Sequence, residues 1–530
     1  MIEVRNVAVQ FDSRVLYENV NLKFTDGNCY GLIGANGAGK STFLRVLSKD
    51  LEPDTGSVYV PENETLYMLK QDQFAYDDYT VLNTVMMGNE ELFKIMAAKD
   101  ELYAKSDFSE ADGILAGELE GRFEELDGWN AESDAGMLLE GLGVSVDLAY
   151  SLMSDLSGSD KVKVLLAQSL FGKPNTLLLD EPTNNLDVQA IAWLEEFLIN
   201  YENTVIAVSH DRHFLNKVCT HIADVDYGAI KIFSGNYDFW YESSQLLSRQ
   251  LREGNKKKEE RIKELEDFIA RFSANASKSK QATSRKRTLD KIELDDLKPS
   301  TRKYPFIEFK PERESGKSIV FLEQVSKETE NASLDNISFS LMRGDKVLIV
   351  GDPLKTTLLL DLIDGKIEPD SGTVSLGQAT QKSYIPRDSR EFFESSESIL
   401  SWLSSYTSID DQSHIRGFLG RMLFSGEDPL KSVNVLSGGE KARCMLSKTM
   451  LEGPNLLILD DPTNHLDLES IQSLNNSLTE YKGELIFVSQ DRQFIETIAN
   501  RIIEIKDDGS IVDRRMTYSE YLAREYGIEN

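Results

Sequence analysis

Two halves of this chain carry the same landmarks at one fixed spacing. Leu156, Asp180 and His210 in the first half match Leu436, Asp460 and Gln490 in the second, each 280 positions further on. A repeat of that length, in a chain of 530 residues, predicts two copies of one domain, each with its own core. Each copy also places a short loop after an apolar run and before a helical one. In the first, Cys29-Tyr30-Gly31-Leu32-Ile33 leads into Gly34, Ala35, Asn36, Gly37, Ala38, Gly39, Lys40, Ser41 and Thr42. Strand, glycine loop, Lys-Ser and helix in that order form a phosphate-binding loop. Its glycines let backbone N–H groups face phosphate oxygens, and the helix start adds a favourable dipole. The fold class is therefore α/β, with two P-loop NTPase domains.

The chemistry follows from the first copy. Lys40 is expected to reach the β and γ phosphates of ATP, and Ser41 to hold Mg²⁺. Asp180 ends the apolar run Leu177-Leu178-Leu179 and is the second expected Mg²⁺ partner. Glu181, next in sequence, is placed to orient and polarise an attacking water. His210 follows the run Thr204–Ser209 and is read as a γ-phosphate contact. Gln71 is read as a sensor of Mg²⁺ and water, and Phe11 as a stacking platform for adenine, with a plain core role as its alternative.

The second copy loses these features together. Its loop, Gly351-Asp352-Pro353-Leu354-Lys355-Thr356-Thr357, is two residues shorter and lacks two glycines, and Pro353 has no backbone donor. Arg387 stands where a glutamine is expected. Asp461 replaces the glutamate one methylene short, Gln490 replaces the histidine, and no aromatic occurs between Val325 and Asn336. Gly351, Lys355, Thr356, Asp460, Asp461 and Gln490 thus define a degenerate site. The defects reverse further along: the first copy reads Leu156-Ser157-Gly158-Ser159-Asp160, whereas the second keeps Leu436-Ser437-Gly438-Gly439-Glu440. If one copy's phosphate loop works against the other's LSGGE segment, Ser437, Gly438 and Gly439 close over the intact loop. One competent composite site and one degenerate site are expected.

The phosphate-loop lysines are 315 positions apart rather than 280. The first half therefore carries extra residues between loop and signature. They fall at about 86–128, in two amphipathic helical stretches read as an inserted arm, with a longer helical subdomain as the alternative. The expected organisation is a first domain at 1–240, a helical inter-domain linker at 241–311 and a second domain at 312–530. The linker is rich in strong helix formers, repeats Leu265, Phe268, Ile269 and Phe272 at helical spacing, and is closed by Pro299, Pro305 and Pro311.

Net charge is −31, which disfavours broad nucleic-acid binding. Yet the stretch from Arg271 to Arg287 holds six basic residues and no acidic one, so a local element can meet RNA phosphate while the acidic body is repelled. Three separated cysteines give neither a disulfide frame nor a zinc site. No apolar run spans a bilayer and the amino-terminal segment is not a signal peptide, so a cytoplasmic protein without membrane contact is expected.

The segments LSGGEKARCMLSK with LLILDDPTNHLD, and LLAQSLFGKPNTLLLDEPTNNLD, resemble the ATP-binding-cassette superfamily. The tandem layout resembles its ABC-F class, and RFSANASKSKQATSRKR, LKQDQFAYDDYTVLNTVMMG and SHDRHFLNKVCTHIAD are most similar to the YbiT-like branch. The resemblance implies an ATP hydrolase that acts on translation at the ribosome, using ATP and Mg²⁺. It also implies a monomer with an intramolecular cassette sandwich, and a linker that meets ribosomal RNA and the P-site tRNA region. By that similarity Lys278, Lys280, Arg285, Lys286 and Arg287 are the RNA contacts. The competing expectation is an ATP-switched regulatory or scaffold protein that does not act on the ribosome.

Overall fold

The computed structural model describes residues 1–11, 14–35, 37–61, 64–70, 72–184, 186–272, 302–407 and 411–527. The chain divides into two compact units: Met1–Ser209 with Phe214–Thr301, and His210–His213 with Arg302–Asn530.

The first unit holds strands β1 (Ile2–Phe11), β2 (Arg14–Phe24), β3 (Cys29–Gly34), β4 (Thr55–Tyr59), β5 (Leu66–Met68), β6 (Thr176–Asp180), β7 (Thr204–Val208), β8 (His221–Asp226) and β9 (Ala229–Ser234). Its main sheet runs β5-β6-β7-β3-β8-β9, parallel except for the final β8–β9 pair. Central parallel strands are covered on both faces, so they read as unbroken apolar runs rather than alternating ones. Accordingly every residue of β3, β6 and β7 is buried.

A second sheet, β2-β1-β4, is antiparallel and has one solvent face. There the pattern alternates: Ile2 and Val4 are buried while Arg5 is exposed. The phase slips between Val4 and Val7, where the pairing register shifts and Asn6 takes a positive φ of 50°. That bulge returns Val7 and Val9 to the core.

The second unit repeats the plan with β10 (Ser318–Glu328), β11 (Ser333–Met342), β12 (Lys346–Val350), β13 (Ser371–Leu376), β14 (Lys382–Ile385), β15 (Leu456–Asp460), β16 (Glu484–Val488), β17 (Arg501–Ile505) and β18 (Ile511–Arg514). Its sheets run β14-β15-β16-β12-β17-β18 and β11-β10-β13. Even the bulge recurs, with Gln324 at φ 50° beside a register shift between Leu322 and Val325. The α/β fold expected from sequence is present twice.

The segment read as an arm contains helices Glu90–Tyr103 and Glu110–Glu125. Asn89 caps the first, and a Ser109–Asp112 capping box starts the second. Lys99 ties them together. Its ammonium pairs with Glu120 at 3.0 Å and lies 3.6 Å from the centroid of the Phe123 ring. The linker begins as one helix, Tyr237–Phe272, of 36 residues, roughly 54 Å long at the usual rise per residue. Leu265 of its apolar stripe is buried. Among the described residues no helix is long and apolar enough to cross a membrane.

Candidate nucleotide sites

In the first unit β3 delivers the chain into the loop, and helix Lys40–Leu47 leaves it to pack against β3 and β6. That path brings the amino end of the helix to the side of the sheet where β6 ends in Asp180. Gly39 makes the turn. It takes φ 98° as the residue before the helix, and a Cβ there would meet Leu16 Cδ1 at 3.0 Å and Tyr17 Cε1 at 3.1 Å. Only glycine fits without strain.

Among the described residues no side chain caps this helix, and a helix start without a side-chain cap is a place that suits an anion. The buried Lys40 Nζ donates to Gly34 O at 2.8 Å and Ala35 O at 3.4 Å, holding the ammonium inside the loop. Ser41 and Thr42 occupy the first helical turn, beside Gly37 and Ala38 of the loop.

Asp180 is buried at the end of β6. Glu181, the next residue, turns into the left-handed region at φ 53°, and its N–H donates to Val208 O at 2.9 Å. A bulky residue pays about 1–2 kcal/mol for that conformation. His210 stands just beyond β7. A Ser41 hydroxyl and a buried Asp180 carboxylate are hard oxygen donors, and as a set they fit Mg²⁺. Asn36 and Gln71 lie outside the described residues, as do Lys278, Lys280, Arg285, Lys286 and Arg287. Phe11 is the last residue of β1, and its side chain is likewise outside them.

The second unit places the same elements and fills them differently. β12 ends before Gly351, and the shortened loop lets the helix begin at once, over Pro353–Asp364. Asp352 caps it: its carboxylate accepts from Leu354 N at 2.9 Å and Lys355 N at 3.3 Å. Lys355 is now the third residue of the helix rather than the first. Its Nζ donates to Asp507 O at 2.7 Å and Lys506 O at 3.4 Å, on the loop after β17. Thr356, which follows the lysine, donates its hydroxyl to Pro353 O at 3.0 Å. The next residue, Thr357, donates to Asp460 Oδ2 at 2.5 Å.

The other oxygen of Asp460 pairs with the Arg387 guanidinium at 3.0 Å. Strand register explains how arginine arrives there. Ile385 pairs with Leu459 in β14–β15, and Arg387 follows two residues on. Burial pushes the Asp460 carboxyl above the usual carboxylate range, with Thr357 and Arg387 pulling it back. Asp461 repeats the turn of Glu181, at φ 55° with its N–H donating to Val488 O at 2.9 Å. The backbone turn is thus the same in both units, and the side chain on it is one methylene shorter in the second. Gln490 follows β16 at the position corresponding to His210. A carboxylate already bound to arginine and threonine is a poor ligand for Mg²⁺, so this set does not fit the cation.

The signature segments differ in the reverse sense. Ser437 begins helix Gly438–Glu452 with a full capping box: it accepts from Glu440 N, and Glu440 accepts from Ser437 N at 2.9 Å. A Cβ on Gly438 would meet the His465 ring at 3.1 Å, and one on Gly439 would meet His465 O at 3.1 Å. A side chain at either position would have to push His465 aside by a few tenths of an ångström. In the first unit Ser157 accepts from Asp160 N at 3.2 Å, while Ser159 carries a side chain into the matching position.

Asp352 and Thr357 are site residues that the sequence did not single out. The signal for Asp352 was present, as Asp before Pro at a helix start is a strong capping pattern.

Two P-loop domains in one chain, each with a strand ending in a buried aspartate and a signature helix, define a tandem nucleotide hydrolase. The chain belongs to the ABC transporter family: the family's cassette pattern matches residues 17–184 and 334–464, and a second pattern of the same description matches 223–309. It binds and hydrolyses ATP. It is 60% identical to YkpA, an ABC transporter ATP-binding protein of Bacillus subtilis, over 98% of this chain and 97% of that one. It is 46% identical to the probable ATP-binding protein YbiT of Escherichia coli O157:H7, over the whole of both chains, which bears out the likeness to that branch. In fold it is similar to the archaeal ribosome recycling factor aABCE1, solved with the ribosomal stalk protein aP1, with a TM-score of 0.61. That match has 15% identity and covers 98% of this chain and 92% of that one. The RNase-L inhibitor gives a TM-score of 0.60 at 16% identity, covering 98% and 93%. At such identities these two likenesses establish the fold alone.

Proposed function

We propose that this chain is a cytosolic, ribosome-associated translation factor of the ABC-F class. In this reading a single composite site hydrolyses Mg²⁺–ATP, and the second site is inactive. The observation that carries the asymmetry is the contrast between an uncapped phosphate loop ahead of Glu181 and a loop whose helix is already capped by Asp352.

In the proposed cycle Gly34–Thr42 cradle the triphosphate and Lys40 neutralises it. Ser41, Asp180 and Gln71 hold Mg²⁺, which when bound screens the phosphate charge. Phe11 stacks on adenine. Ser437, Gly438 and Gly439 of the second cassette close over the γ-phosphate through bare backbone and a helix start. Glu181 then accepts a proton from the attacking water, and His210 holds the γ-phosphate in line. Closure moves the linker, and phosphate release lets it return. The ribosomal partner is supported by the resemblance of the motifs to the ABC-F class, by the fold shared with a ribosome recycling factor, by the long linker helix and by the basic stretch Lys278, Lys280, Arg285, Lys286 and Arg287, which would meet RNA phosphate.

The test is co-sedimentation with ribosomes. A Glu181→Gln chain with Mg²⁺–ATP is expected to remain ribosome-bound, and to be released by added salt and by neutralising those five basic residues. Retained ATP binding without ribosome binding would favour the competing reading, an ATP-switched regulatory or scaffold protein.

A further inference from the structure

Each group that Mg²⁺–triphosphate would need in the second cassette is engaged by a group of like charge to the ligand's own parts. We propose that this half is liganded by its own side chains, with the Arg387 guanidinium in the cation's place on Asp460 and the Asp352 carboxylate in the phosphate's place at the start of helix Pro353–Asp364. This deepens the one-site reading above and rests on it.

Three observations converge. The first is the anion position. An exposed helix start attracts phosphate through its free N–H groups and its dipole. Here Leu354 and Lys355 give those N–H groups to Asp352 at 2.9 and 3.3 Å, and Pro353 has none. An incoming phosphate would meet a fixed negative charge.

The second is the cation position. Both oxygens of the buried Asp460 are engaged, one by Arg387 at 3.0 Å and one by Thr357 at 2.5 Å. Mg²⁺ demands near-octahedral oxygen ligation and would have to displace a permanently charged guanidinium. The third is the lysine. Lys355 reaches the carbonyls of Lys506 and Asp507, whereas Lys40 reaches back to Gly34 and Ala35 of its own phosphate loop.

Together these groups reproduce the charge pattern of a loaded site with no ligand. A carboxylate sits at the helix start and a cation bridges to the strand-end aspartate. The second cassette would thus keep one fixed state while the first alternates between empty and loaded.

The experiment uses the full chain. Equilibrium dialysis with radiolabelled ATP and Mg²⁺ on the Glu181→Gln protein is expected to give one nucleotide per chain, and none when Lys40→Ala is added. One nucleotide retained by the Lys40→Ala chain, at an affinity like that of the parent, would overturn the proposal. Two per parent chain would overturn it as well. The second arm reads metal directly and does not depend on the folding of the Lys40→Ala chain. Mn²⁺ binding is followed by electron paramagnetic resonance on the Asp180→Asn chain, whose first metal site is removed. Adding Arg387→Gln is expected to tighten Mn²⁺ binding by more than about tenfold, as a cation leaves the aspartate. An unchanged Mn²⁺ affinity would contradict the assigned role of Arg387. Failure to bind ribosomes, with one nucleotide still bound, would sink the translation reading and leave this proposal standing.

Discussion

The same helix starts in two ways in the two cassettes. Lys40–Leu47 begins with no side-chain cap and a glycine at φ 98°, whereas Pro353–Asp364 begins under the Asp352 carboxylate with proline in its first turn. The first is a poor isolated helix start, because no side chain caps it among the described residues. The second is a good one, satisfied from within. What stabilises a helix in isolation is what fills an anion site, so the cap that occupies the second loop also satisfies the helix that follows it.

A second pair of positions makes the same point. Arg501 at the start of β17 is buried and donates to Asp345 at 2.7 Å and to Asp513 at 2.8 and 2.5 Å. In the first cassette the matching position at the start of β8 is His221, which shares a 3.0 Å hydrogen bond with the Thr220 hydroxyl. At this position one cassette has a buried ionic network; the other has that hydrogen bond and a ring contact with Tyr30 at 5.0 Å.

The largest expected difference is chemical. Glu181→Gln should lower ATP turnover by about 100- to 10,000-fold, the range for losing a positioned general base, while Asp461→Asn should leave it within about twofold. Phosphate release at saturating ATP measures both, and equal losses would erase the asymmetry. Next comes the ionic network. Arg501→Ala takes the partner from Asp513 and leaves Asp345 with Arg515 and the Met342 N–H, and should cost about 2–3 kcal/mol in chemical denaturation, against less than about 1 kcal/mol for His221→Ala.

A smaller effect is expected at the loop. Gly39→Ala forces a side chain into the left-handed region and against Leu16 and Tyr17, a strain of about 1–3 kcal/mol that should appear as weaker ATP binding. The smallest is at the opposite cap. Asp352→Ala should cost about 1 kcal/mol of stability, read by thermal melting, with turnover unchanged. A fall in turnover there would mean that the second loop takes part in the reaction.

Much of this contrast was legible in the sequence, because it is carried by local patterns. The glycine loop, the apolar runs ending in Asp180 and Asp460, and the fixed repeat all report short-range constraints, and they predicted the two sheets. The details of the second site were less legible. Counting on from the lysine equates Thr356 with Ser41. Two missing residues, however, start the helix earlier relative to Lys355, which changes the direction each side chain takes, and it is Thr357 that reaches Asp460. Arg387 was visible as an oddity, but its ion pair depends on the register of β14 against β15. The Arg501 network joins residues from Asp345 to Asp513 and has no local signal at all.

The central claim is that the phosphate loop of the first cassette works with the signature of the second. A structure of the Glu181→Gln chain loaded with Mg²⁺–ATP tests it most directly. The account predicts one triphosphate, held by Lys40 and Ser41 and covered by Ser437 and Gly439, with nothing bound at Lys355. A triphosphate on Lys355 beneath Ser157–Ser159, or one on Lys40 with Ser437 turned elsewhere, would contradict it.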